Sequence, residues 1–264
     1  MTKNRNPRHR RTPSAVQRPG PEVTVALLCS EADYKAMRQA HPTSEFGDYS
    51  KYRERTHLVL RELRRHGGQI WVRPFDPEDY RSFCAAESLQ TDRLQSRAQY
   101  SADPRLLPPR LYAGEPLDVL LRKLSHQRDD ERTAAAALEL LAIATEPHDP
   151  AQQAITFAST IVHALLRDLG PGAHLLTCVM DAGPDQLSIQ AKVERTAHRV
   201  LSHSPQLDIF TTILAAAYAL GGSAAVTIRS HDHNSETVRS WQLNGDRLEP
   251  LPATEIRNAH PPPP

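Results

Sequence analysis

None of the common catalytic or nucleotide-binding signatures occurs in this chain of 264 residues. The sequence contains no GxGxxG or GxxxxGKS/T loop, which would cradle phosphates, and neither HExxH nor GxSxG, which would mark a zinc protease or a serine hydrolase. These absences exclude the familiar forms of those sites. They leave open whether the protein is an enzyme.

Cysteine is scarce and scattered. Cys29, Cys84 and Cys178 lie far apart, form no CxxC pair and are odd in number. Neither a disulfide framework nor a zinc module fits this spacing. We therefore expect all three to be reduced, buried thiols.

Long apolar segments are also missing. No stretch approaches the roughly 18 uninterrupted apolar residues of a membrane-spanning helix, and the basic N-terminus lacks the apolar run of a secretory signal. The sequence therefore predicts a cytoplasmic protein that does not associate with membranes.

The net charge of +1 conceals an uneven distribution. The first 20 residues contain six basic and no acidic side chains, whereas the rest of the chain contains 26 basic and 31 acidic ones. Such a segment cannot bury enough surface to fold, so residues 1–21 are predicted to be a disordered basic tail. The tail suits weak contact with nucleic acid through counterion release, although a purely solubilising tail fits the same charges. The arginines that would make this contact are Arg5, Arg8, Arg10 and Arg11.

Residues 22–90 are predicted to form an α/β domain. The apolar run from Val23 begins a strand covered on both faces, and Gln69–Phe75 gives a second strand. Helices are predicted over 31–40, over 48–66 and from Asp76 onward, where Pro77 suits the first helical position. This βαβα order predicts a parallel strand pair, which further strands from later in the chain must complete.

The remaining residues divide into a linker, an α+β domain and a tail. Residues 91–116, rich in proline, are predicted to be an irregular linker, and residues 253–264 a second, proline-rich disordered tail. The domain at 117–252 begins with a helical lead-in, predicted as two helices over 116–126 and 129–145.

A helix followed by a strand hairpin is predicted twice in this second domain. Phe157–Leu166 resembles Phe210–Leu220 in pattern, and a glycine stop follows each helix. The segments suit a two-layer α+β sandwich built from a duplicated α-β-β unit, although any α+β domain can show such alternation. The predicted strands are 174–180, 186–193, 224–228 and 238–243.

Acidic residues follow both strands of the predicted parallel pair. In a parallel sheet both groups emerge at the carboxyl edge, where ligands of α/β sheets bind. Carboxylates that converge there could hold Mg²⁺ or Mn²⁺ for phosphoryl-transfer or nuclease chemistry. The candidate ligands are Asp33, Asp76 and Asp79. The same residues suit helix N-termini without any metal.

The histidines form a weaker candidate site. His231 and His233 lie two residues apart, with His198 and His203 upstream. Imidazoles in one loop need further ligands to close a metal site, so a surface turn is the preferred explanation of the segment.

Cys29, at the end of the first strand, is a candidate nucleophile if a helix N-terminus lowers its pKa. Its apolar neighbours on one side favour an inert buried thiol instead.

Two phrases in the first domain resemble uncharacterised proteins of GC-rich actinobacteria. They are VALLCSEADYKAMR at 25–38, followed by Phe46, Tyr49 and Tyr52, and PFDPEDYRSFC at 74–84. The 27 arginines against 5 lysines agree with that source. The resemblance covers residues 23–85, carries no activity, and therefore assigns no functional residue.

These observations favour a non-enzymatic regulatory or protein-interaction module that binds a protein partner or a second copy of itself and needs no cofactor. One alternative is a metal-dependent phosphoryl-transfer or nuclease-like enzyme at the acidic edge. Another is nucleic-acid association through the basic tail.

Overall fold

The computed structural model of the protein describes residues 22–40, 47–106, 108–145, 151–183, 185–196, 204–232 and 235–252. The chain is mixed α/β, as predicted, and divides into two compact units, residues 1–125 and 126–264. The predicted tails lie outside the described residues. Whether the ranges 22–90 and 117–252 fold independently stays a prediction.

The N-terminal unit is built on a small mixed sheet. Strands β1 and β2 are parallel, with Val25 opposite Val72, and β3 pairs antiparallel to β2. The order β1-β2-β3 leaves β1 at an edge of the sheet. The elements are β1 (Glu22–Leu27), α1 (Glu31–Ala40), α2 (Tyr49–Arg65), β2 (Gln69–Pro74), α3 (Pro77–Ala86), α4 (Leu94–Ala102), β3 (Arg110–Leu111) and the start of α5 (Leu117–Thr145).

Side chains bury both faces of this sheet, as the continuous apolar run predicts. On one face Leu27 and Val72 pack against Leu60 of α2 and Leu120 of α5. On the other face Leu28, Phe75, Tyr80 and Tyr100 form an aromatic-rich cluster with α1, α3 and α4. Alternation along each strand sends successive side chains to opposite faces, which explains the two separate clusters.

Two expectations for the middle of the chain are wrong. Residues 91–116 are not irregular, because they contain α4 and β3. The lead-in is one helix, α5, because no proline or glycine interrupts it between Leu117 and Thr145. Leu120 and Leu124, near its start, are fully buried in the core of the N-terminal unit.

The C-terminal unit is a two-layer α+β sandwich, as predicted. Its antiparallel sheet has the order β5-β4-β6-β7-β8, with β8 as an unpredicted addition at one edge. The predicted hairpins are present but longer than expected. The elements are α6 (Ala151–Arg167), β4 (Gly172–Ala182), β5 (Asp185–Arg195), α7 (Pro205–Ala219), β6 (Ser223–Asp232), β7 (Ser235–Asn244) and β8 (Arg247–Pro250).

Helices α6 and α7 share one core with the sheet. Leu176 and Cys178 of β4 pack with Val226 and Ile228 of β6 and with Phe210 of α7. The order α-β-β occurs twice around the central β4 and β6 pair. Common ancestry of the two halves stays a prediction. Of the helices in the described segments, none has the length and apolar character needed to cross a membrane.

Candidate functional site

The first carboxylate of the predicted acidic edge forms a helix cap. The backbone N–H of Ser30 donates to Asp33 Oδ2 at 3.0 Å, and the backbone N–H of Asp33 donates to Ser30 Oγ at 3.1 Å. This reciprocal pair is a capping box, which satisfies donors that the start of α1 leaves without a partner inside the helix. Helix initiation thus accounts for Asp33.

The other two carboxylates serve α3. Asp76 is its N-cap and accepts hydrogen bonds from the backbone N–H groups of Glu78 and Asp79, at 3.0 and 3.3 Å. Asp79 Oδ2 accepts a hydrogen bond of 2.8 Å from the Tyr100 hydroxyl. Burial, reinforced by that bond to Asp79, raises the pKa of Tyr100. Capping of α3 therefore accounts for Asp76, and the hydrogen bond from Tyr100 accounts for Asp79.

The metal hypothesis gains no support from this arrangement. Across the described ranges, no group of three or more His, Cys, Asp or Glu side chains is placed to hold a metal ion. A Mg²⁺ or Mn²⁺ site at Asp33, Asp76 and Asp79 stays a prediction for direct titration.

The minor candidates can also be located. All three cysteines are buried and none forms a disulfide, as predicted. Cys29 Sγ lies 3.3 Å from the carbonyl oxygen of Leu27. His231 lies at the exposed end of β6, with Nε2 3.9 Å from Glu236 Oε1. His198, His203 and His233 lie outside the described residues.

Two tyrosines of α2 hold the chain where β1 ends. The backbone N–H of Leu28 donates to the Tyr52 hydroxyl at 2.9 Å, and the Tyr49 hydroxyl donates to the carbonyl of Cys29 at 3.1 Å. The two rings stack, with centroids 6.0 Å apart. Burial raises the pKa of Tyr52 to about 12. These contacts fix the position of β1 relative to α2.

A cavity of about 460 Å³ lies along the outer edge of β1. Residues of α1, α2 and α4 line it together with β1 and Phe75. Since the C=O of Leu27 accepts the N–H of Phe75, on the β2 side, alternation along the strand turns the backbone groups of Ala26 toward the cavity. The cavity is within the size range of small-molecule sites.

Among the described residues, the lining of the cavity is mostly apolar and includes arginines but no acidic side chain. Its apolar part includes Val25, Leu27, Met37 and Phe75. Val59 and Leu94, 53% and 77% exposed, are the most accessible of the apolar lining side chains. The charged residues among the described lining are all basic: Arg38, Arg55 and Arg97. An apolar cavity with positive charge is complementary to an apolar molecule that carries a negative group.

Arg97 already has polar contacts within the unit, among them a side-chain hydrogen bond with Tyr80. Its Nη2 donates to the carbonyl of Asp92 at a long 3.4 Å, and its Nε is buried without a hydrogen-bond partner among the described residues. A buried donor without an acceptor is costly, and each such group calls for an explanation. A ligand in the cavity would meet the charge of this guanidinium rather than the buried Nε.

Residues 9–115 match the sequence model of a domain of unknown function (DUF8829). The matched range contains the whole three-strand order β1-β2-β3 and every residue that lines the cavity. It includes the segment 23–85 that resembles uncharacterised proteins, and attaches no activity to it. Comparison with curated proteins found no match, and neither did comparison with solved structures.

Sequence reasoning missed the cavity because its arginines lie on three different helices. Arg38 belongs to α1, Arg55 to α2 and Arg97 to α4. No fixed spacing connects such residues. The available signal was Tyr49 and Tyr52, which belong to the resemblance quoted above and whose hydroxyl groups bond the chain where β1 ends.

Proposed function

We propose that the N-terminal unit is a regulatory binding module for an apolar organic anion, of which a medium-chain carboxylate is the simplest example. The observation that carries this proposal is the cavity at the free edge of β1, where an apolar lining meets arginines without any described acidic residue. The protein acts without chemistry of its own. Ligand occupancy alters what it binds, a protein partner or a second copy.

The two parts of such a ligand make separate contributions. The hydrocarbon part gains about 0.8 kcal/mol per buried methylene, which corresponds to about fourfold in affinity. The carboxylate accepts charge-assisted hydrogen bonds from arginine, which are stronger than bonds between neutral groups. The backbone N–H of Ala26 offers a further donor.

Calorimetric titration of the full chain tests the proposal with matched ligands below their micelle concentrations. Decanoate, decanol and decylammonium share one chain length and differ in charge. We expect affinity to fall in that order, and to fall about fourfold per methylene from decanoate to shorter carboxylates. Equal binding of decanoate and decylammonium would contradict the charge complementarity.

Two neighbouring substitutions locate the binding site. Val59→Trp places a large ring in the lining of the cavity, whereas Leu58→Trp puts the same ring one residue away on α2, outside the lining. Both side chains are more than half exposed, so neither change disturbs the core. We expect Val59→Trp to abolish decanoate binding and Leu58→Trp to preserve it. Loss in both or in neither would refute this site.

A further inference from the structure

A second cavity, of about 670 Å³, lies at the other end of α2 and is strongly basic. His57, Arg61, Arg64 and Arg65 line it from the helix, at the spacing of i, i+4, i+7 and i+8 that puts them on one face. The segment 112–116 forms the opposite wall. The cavity lies within the N-terminal unit and shares no lining residue with the cavity at β1.

The negative charges near this cavity are already engaged. Glu115, the one acid among the described lining residues, accepts the backbone N–H of Ala113 at 3.1 Å and lies 3.5 Å from Lys123. Burial opposes ionisation of Glu115, but the backbone hydrogen bonds and Lys123 outweigh it and lower its pKa. Glu62 pairs with Arg65 at 2.7 Å. Among the described residues, Arg61 and Arg64 have no ion-pair partner.

The Arg64 guanidinium occupies the space that a side chain at position 114 would fill. A Cβ atom on Gly114 would lie 1.1 Å from Arg64 Nη1 and 2.3 Å from Cζ. The guanidinium therefore lies directly against the glycine, and it sits 6.0 Å from the centre of the Tyr112 ring. Tyr112 is fixed in turn by its backbone N–H, which donates to the carbonyl of Ile70 at 2.8 Å.

Arginines in the last turn of a helix also complement the helix dipole, and that role alone requires no cavity. The dipole does not explain why Arg64 lies against a glycine of another segment, or why Arg61 faces the same space. We infer that this cavity binds a phosphate group, whose oxygens match the forked donors of two arginines. The group belongs either to a free phosphate compound or to the backbone of a nucleic acid.

Calorimetry with pyrophosphate, and fluorescence anisotropy with a labelled single-stranded oligonucleotide, test this site and distinguish the two sources. Both measurements use the full chain with Arg5, Arg8, Arg10 and Arg11 each replaced by Gln, which removes four of the six positive charges of the N-terminal segment. We expect Arg64→Gln to weaken binding of at least one probe about tenfold. Arg81→Gln removes the same charge at an exposed position of α3, so it should change the affinity by less than about twofold.

A substitution that leaves the charge unchanged makes the test specific. Gly114→Ala displaces the Arg64 guanidinium and should weaken binding as Arg64→Gln does. Gly114 has φ of +94°, so Gly67→Ala serves as the control: φ there is +74°, and no atom lies within 4 Å of the added Cβ. We expect Gly67→Ala to bind normally. Unchanged binding of both probes by Arg64→Gln, or equal loss in Arg81→Gln or Gly67→Ala, would overturn the site.

Discussion

The hydroxyl group of Tyr52 makes the most informative single-atom deletion in the N-terminal unit. It accepts the backbone N–H of Leu28 at 2.9 Å, at the point where β1 ends beside the cavity. Tyr52→Phe removes this acceptor and leaves a backbone donor in an apolar surrounding without a partner. Such a loss costs about 1–3 kcal/mol. Tyr49→Phe instead leaves the Cys29 carbonyl with one bond fewer, which proteins tolerate better, so its cost should be smaller.

The cost should also depend on pH. Folding raises the pKa of Tyr52 from 10.0 to about 12, mainly through burial. A group whose pKa is raised in the folded state contributes stability that is complete below its unfolded pKa and is lost as pH rises through its folded pKa. The difference in stability between wild type and Tyr52→Phe should therefore be constant below pH 10 and shrink as pH approaches 12.

Urea unfolding measures both effects. Trp241→Phe in the background leaves Trp71 of β2 as the single tryptophan, so fluorescence reports the N-terminal unit alone. Tyr52→Phe should lower its free energy of unfolding by about 1–3 kcal/mol at neutral pH, and Tyr49→Phe by less. A Tyr52→Phe effect below about 0.5 kcal/mol, or a difference that stays constant up to pH 12, would refute this account of the strand end.

Two further predictions concern residues of the N-terminal unit. Asp76→Ala should destabilise the unit by about 0.5–2 kcal/mol in the same assay, because α3 loses its N-cap. Its calorimetric response to Mg²⁺ and Mn²⁺ should equal that of wild type; metal binding that the substitution removes would revive the metal alternative. Leu120→Ala should cost about 2–5 kcal/mol, since Leu120 is fully buried beside Leu60 and Val72. No loss of stability at Trp71 would contradict that placement.

The parts of the fold that local chemistry determines could be predicted from sequence. The apolar run at 23–28, broken only by Thr24, the cap at Asp76 followed by Pro77, and the glycine at 67 after α2 each determine structure within a few residues. The two-layer C-terminal unit followed from its repeated order of helix and hairpin. Such local patterns predict structure reliably because residues close in the sequence supply both partners of each interaction.

The incorrect predictions concern elements whose structure depends on residues far away in the sequence. β3 is only two residues long, too short for any periodic pattern, and exists because Tyr112 and Leu111 meet β2. The acidic residues from Asp129 predicted the start of a second helix, but acidic residues alone do not end the helix that precedes them. Asp33 and Asp76 share one pattern for capping and for metal binding, and sequence cannot separate the two uses.

We propose that Arg97 helps the cavity at β1 to select a negatively charged apolar ligand. The ratio of decanoate affinity to decanol affinity, measured by calorimetry for Arg97→Gln and for Arg81→Gln, tests it most directly. We predict that Arg97→Gln lowers this ratio about tenfold and leaves decanol binding nearly unchanged, because only the charge-assisted contact is lost. Arg81→Gln should keep the wild-type ratio. An equal ratio in both variants, or no decanoate binding by the wild type, would contradict the claim.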